Sequence, residues 1–109
     1  MARDRGLEEL IHGDIDSLVG VTGKAMFGGW AWLLHGNLLC GARDDSMLVR
    51  LGKGQDAWAL QTTGIVPMES RGRIMQGWVR CGPDVYGNDT LRNRLLSRAI
   101  EFVGTLRSK

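Results

Sequence analysis

The spacing of apolar residues changes twice along this chain, and that change limits the fold more than any other feature. Between Leu7 and Leu18 the apolar positions Leu7, Leu10, Ile11, Ile15 and Leu18 recur at steps of three and four, which places them on one face of an amphipathic helix. Gly20 and Gly23 mark its stop. From Lys24 to Leu51 the period becomes two, in short runs bounded by "FGG", "HGN" and "RDD", the pattern of successive antiparallel strands. Trp30, Trp32 and Leu34 share one face of the second run, and Leu38, Cys40 and Ala42 share one face of the third. The link His35-Gly36-Asn37 suits a tight hairpin with positive φ at Gly36 and Asn37. Asp44-Asp45 marks the next turn, before a run in which Met47, Val49 and Leu51 alternate with Ser46, Leu48 and Arg50.

"GQDAWAL" reads as a short helix that ends before Gly64 and Pro67. A second hairpin follows, with "IVPMES" and "RIMQGWVRCG" flanking Arg71-Gly72-Arg73. Met75, Gly77, Val79 and Cys81 face away from Gln76, Trp78 and Arg80, and Pro67 confines the first of these strands to an edge or a short run. Helical spacing returns at the C-terminus: Asp89 can cap, Leu91, Leu95, Ala99, Phe102 and Leu106 form a stripe, and Leu96, Ile100 and Val103 adjoin it. The implied class is α+β, an antiparallel sheet of about five strands with N- and C-terminal helices over one face.

A length of 109 residues fits one domain spanning 1–109. No run approaches the roughly 18 apolar residues of a membrane span, and "MARDRGLEEL" has no signal-peptide core. The expected location is cytoplasmic, with Cys40 and Cys81 reduced. The net charge of +2 is unevenly placed: residues 1–20 carry two basic and five acidic groups, residues 21–70 four of each, and residues 71–109 eight basic and three acidic.

Several chemistries can be tested on the residues. "GKGQDA", Gly52 to Ala57, fits the loose dinucleotide pattern, but that pattern works inside a parallel βαβ unit, and Pro67 interrupts the place of its second strand. "MFGGW" lacks the lysine and hydroxyl of a phosphate loop, so its adjacent glycines read as a turn or close backbone packing before a large indole. His12, His35, Cys40 and Cys81 are single residues without the paired spacing of a metal site. No nucleophile motif is present, and Cys40 lies in an apolar run that makes a thiolate costly. No catalytic, cofactor-binding or metal residues are therefore assigned. Arg71, Arg73, Arg80, Arg94 and Arg98, with Arg92, Arg107 and Lys109, are the one feature that could act through charge, on phosphate or on an acidic protein.

The chain resembles the TfoX N-terminal domain family, also called the Sxy family. The residues that carry the likeness are "MFGGW" (Met26, Phe27, Gly28, Gly29, Trp30), "DDSMLVRLGK", "GRIMQGWVRC" with Gly77 and Trp78, and "LRNRLLSRAIEFV". It extends from about Val21 to Leu106. The resemblance implies the order helix, three strands, helix, two strands, helix, and it does not imply an enzyme. The family is named for bacterial regulators of natural competence, in which the domain acts with a DNA-binding transcription activator, and full-length regulators carry a further helical domain. The first functional reading is a non-catalytic interaction domain with a protein partner, acting through its sheet face or its basic C-terminal third, with a homodimer compatible. The second is direct nucleic-acid binding by Arg71, Arg73, Arg80, Arg94 and Arg98. The third is a small-ligand enzyme with a pocket near Trp30, Trp32 and Trp78.

Overall fold

The computed structural model describes residues 5–26, 28–43 and 45–108. Helix α1 (Arg5–Ile15) leads into strands β1 (Val21–Met26), β2 (Gly29–Leu34), β3 (Asn37–Ala42) and β4 (Met47–Arg50). Then come α2 (Ala57–Leu60), β5 (Ile65–Ser70), β6 (Arg73–Cys81), the single turn α3 (Pro83–Tyr86) and α4 (Asp89–Val103). The strands form one antiparallel sheet in the order β1-β2-β3-β4-β6-β5. It has one strand more than expected, since four precede α2, and α3 was not foreseen. β6 lies beside β4, which leaves β5 with its Pro67 at the edge, where a missing amide breaks no ladder.

Both long helices cover the same face. Leu7, Ile11 and Ile15 of α1 and Leu95, Leu96, Ala99 and Val103 of α4 meet Trp32, Leu34, Cys40, Val49, Val79 and Cys81 in one core. Each fully buried aliphatic side chain stabilises the fold by about 1.5–3 kcal/mol. Leu10 lies off the line of Leu7, Ile11 and Ile15 and is 39% exposed, so it does not belong to the buried stripe. The helix itself ends at Ile15, with Leu18 packing on the core from beyond it.

Two irregularities correct the expected alternation. Trp32 pairs with Cys40 but Leu33 pairs with Leu38, so Leu39 is an extra residue in β3. Leu39, Cys40 and Ala42 enter the core, while Leu38 turns to the other face and packs with Leu48, Met68, Trp78 and Met75. In β6, Ile74 pairs with Glu69 and Val79 with Pro67, so the segment between them forms a bulge opposite Met68. Met75 therefore joins Trp78 on the outer face instead of following Val79 and Cys81. Gly77 sits at the bulge with φ +84°. Its carbonyl accepts from the amides of both Leu51 (2.7 Å) and Gly52 (3.1 Å). A Cβ there would stand 2.5 Å from Gly52 C and Lys53 N, so only glycine lets the two backbones meet.

Two end signals shift by one residue. The β2–β3 turn has positive φ at His35 (52°) and Gly36 (84°), not at Asn37. Asn37 instead opens β3, and its buried amide donates to the Arg107 carbonyl at 2.7 Å. The cap of α4 is Asn88, whose Oδ1 accepts from the Leu91 amide (3.1 Å), and Asp89 is the first helical residue.

Arg92 fastens the helical layer. It is only 4% exposed, and its Nε donates to Asp14 Oδ2 of α1 at 2.6 Å. Its Nη1 meets Asp89 Oδ1 at 2.9 Å and the Tyr86 carbonyl at 2.8 Å. The Asp14 hydrogen bond, helped by Asp89, holds the guanidinium above its ordinary pKa against the opposing cost of burial.

Two measurements check these constraints. Gly77→Ala should lower unfolding stability by about 3 kcal/mol in urea, from positive φ and the backbone clash together. Gly72→Ala, at φ +78° with open space for its Cβ, should cost only about 1 kcal/mol. Arg92→Ala should cost about 3 kcal/mol, because Asp14 is left without its partner. Arg92→Lys should recover only part, since an ammonium cannot fork to Asp14, Asp89 and the Tyr86 carbonyl at once.

Candidate interaction surface

Helix α2 is a single turn after β4, and it presents Trp58 half-buried against the core. Arg94 and Arg98 stand one turn apart on the exposed side of α4. Their guanidinium carbons lie 4.7 Å and 5.9 Å from the centroid of the Trp58 ring. A third such contact joins β4 to α4, where Arg50 stacks on Phe102 at 5.6 Å. Cation and ring attract through the ring quadrupole, by about 0.5–1 kcal/mol at exposed sites. Among the described residues neither Arg94 nor Arg98 forms an ion pair. Beside this platform a cleft of about 390 Å³ opens between Lys53, Gln55, Trp58, Arg98, Phe102 and Thr105, with Glu101 on its lining.

The other arginines lie elsewhere. Arg71 occupies the β5–β6 turn with φ 53° and Arg73 begins β6, both exposed. Arg80 alternates with buried Val79 and Cys81 and pairs with Leu48, which places it on the face away from the helices. There its Nε donates to Ser46 Oγ at 3.0 Å, and its Nη2 lies 3.3 Å from Asp45 Oδ1. Arg92 is the buried tie described above, and Lys109 lies outside the described residues. The fold thus gathers Arg94 and Arg98 around Trp58 and leaves Arg71, Arg73 and Arg80 apart. Sequence reasoning missed Trp58, Phe102 and Arg50, whose partners are distant in sequence.

The three tryptophans named for a ligand pocket are divided by the sheet. Trp78 is buried on the outer face, whereas Trp30 and Trp32 pack on the helical side. Clefts of about 360 Å³ and 330 Å³ flank His12, Trp30 and Trp32, the first below Arg5, Glu8, Glu9 and Gly13 and the second beside Asp16 and β1.

In "MFGGW", Met26 ends β1 half-buried and Phe27 lies outside the described residues. Gly28 turns the chain at φ +73°. Gly29 has no room for a Cβ, which would overlap the Ala42 carbonyl. The "GKGQDA" glycines join β4 to the four-residue α2 within an antiparallel sheet, which is not the parallel unit that a dinucleotide needs.

Cys40 and Cys81 are free and fully buried. Burial pushes the Cys81 thiol up to about 12 and the Cys40 thiol further. Neither can supply a thiolate nucleophile at neutral pH. Among the described residues no group of three or more His, Cys, Asp or Glu is placed to hold a metal ion, and no helix is long and apolar enough to cross a membrane.

These features define a small α+β domain with an open antiparallel sheet, helices on one face and a cation-aromatic platform at their exposed side. The chain belongs to the TfoX N-terminal domain family, whose sequence profile matches residues 14–103. Neither the curated proteins nor the solved structures contain a match.

The thiols give a direct check. Folded protein at pH 8 should not react with a disulfide reagent, and unfolding in guanidinium should expose both cysteines to it. In the unfolded chain each thiol ionises from about pH 8.5, while the folded chain keeps both protonated. Their contribution to stability is therefore complete below that pH and falls as pH rises toward 12. Cys81→Ala should lessen this alkaline loss in urea titrations.

Proposed function

We propose that this domain is a non-catalytic interaction module, and that its partner is a protein offering an acidic, exposed segment to the Arg94-Trp58-Arg98 platform. The observation that carries the reading is the pair of guanidinium groups held over one indole without carboxylate partners among the described residues. Stacking fixes the planes of both groups while leaving their N–H edges for a carboxylate, and Arg is the side chain best suited to such forked contacts. The adjoining cleft, with Lys53 on its rim and Phe102 in its wall, adds a cation and an apolar seat, the mixture that protein interfaces favour. Membership in the family supports an interaction role. A part in transcription or competence, as the family resemblance implies, would run through such a partner, in the cytoplasm.

Direct nucleic-acid binding is the competing reading. A phosphate backbone is best followed by a continuous basic stripe, whereas only two of the five arginines first considered converge. Affinity capture from nuclease-treated extract, with folded wild-type domain and the Arg94→Glu/Arg98→Glu variant side by side, tests the proposal. The expected result is a protein recovered by wild type and reduced at least about tenfold by the variant. Equal recovery with both forms, or none above background, overturns it. Binding of a DNA duplex that weakens steeply with salt and is lost in the same variant would put the nucleic-acid reading in its place.

A further inference from the structure

The two edges of the sheet are treated differently. β5 carries Pro67, and its ladder shifts register between Pro67 and Glu69, two devices that discourage further pairing. β1 has neither. Its six residues pair with β2 without a shift, and Thr22, Gly23, Lys24 and Ala25 are exposed. The His35 amide donates to the Gly20 carbonyl at 2.9 Å, so Gly20 and His35 are a hydrogen-bonded pair just ahead of Val21 opposite Leu34. Antiparallel alternation then aims the backbone groups of Thr22 and Lys24 at β2, and those of Val21, Gly23 and Ala25 at the open edge.

We propose that this edge takes the β1 strand of a second copy of the chain, antiparallel about a two-fold axis at Gly23. That register sets Gly23 opposite its own equivalent and Val21 opposite Ala25, all residues whose N–H and C=O point outward. Lys24 falls opposite Thr22. Centring the axis on Lys24 would instead bring two ammonium groups face to face and oppose backbone groups already engaged with β2. A two-fold axis normal to the sheet keeps both helical layers on one side, and the contact is isologous and closed.

A second observation lies at the same point. Gly23 has an ordinary strand φ, yet a Cβ on it would stand 2.5 Å from Nε1 and 2.7 Å from Cζ2 of Trp30. The half-buried indole therefore lies across β1 where the axis would pass, beside the cleft of about 330 Å³ bounded by Val21, Thr22 and Gly23. In the dimer the indole of each copy covers that of the other, which gives the backbone pairing an apolar centre. The arginine platform on α4 shares no residue with this edge, so the two proposals stand or fall separately.

Light scattering on the full chain, from about 1 μM to about 1 mM to span weak association, should show the mass rising from 12.0 kDa toward twice that value. Ala25→Pro removes an outward amide that β2 does not use, and it should leave a folded monomer. Register is read by mixing two single variants, Thr22→Cys and Lys24→Cys. These positions face each other as a closely spaced pair, so oxidation should cross-link the equimolar mixture and neither variant alone, Cys40 and Cys81 being buried. A mass of 12.0 kDa throughout, a dimer unaffected by folded Ala25→Pro, or a mixture that fails to cross-link overturns the proposal. The cross-linking arm decides if Ala25→Pro does not fold.

Discussion

The helical layer depends on one buried cation. Arg92 joins Asp14 on α1, Asp89 at the start of α4 and the Tyr86 carbonyl at the end of α3. A guanidinium at 4% exposure is tolerable because its Nε and Nη1 find three acceptors, two of them carboxylates. The geometry requires α1 and α4 to arrive together over the inner face, where Leu7, Ile11 and Ile15 meet Leu95, Leu96 and Ala99 within the same core. Apolar burial supplies most of the stabilisation, but it is non-directional. The Arg92 contacts are directional and fix how the helices seat.

The sheet has its own constraint, the approach of backbone to backbone. Gly29 lies against Ala42, and Gly77 lies against Gly52 and Lys53. The first closes the β1–β2 hairpin onto β3, and the second holds the β4–α2 link to the β6 bulge through two amides on one carbonyl. Gly29 and Gly77 are therefore places where a side chain would keep two backbones apart. The bulge also lets Met75 and Trp78 lie on the same face, where they cover Leu48 and Met68 in a small second cluster. That cluster explains why Leu48 is buried although the helices lie on the other side.

Charge follows from this arrangement. Of the eight cations among the last 39 residues, which stand against three carboxylates, six are divided among a buried tie, an ion pair on the outer face, a hairpin turn and the platform on α4. Of these, Arg94 and Arg98 gain an aromatic support from another element while keeping their exposure. Net charge alone says little about a surface; the distribution of partners decides which cations are available.

Period, glycine and proline act through local backbone geometry, so the α+β class, the two terminal helices, the α2 turn, the antiparallel hairpins and an edge or short run for the Pro67 strand are legible in the sequence. It also carried the family, whose profile matches residues 14–103. Tertiary structure alone decided the bulges at Leu39 and Gly77, which reverse the faces of Leu38 and Met75, since an extra residue in one strand is defined only against its partner. It alone turned Arg92 from one of several arginines into a buried tie, and it alone put Trp58 beneath Arg94 and Arg98. These contacts join residues far apart in the chain, and no local pattern encodes which distant side chain will lie within a few ångströms.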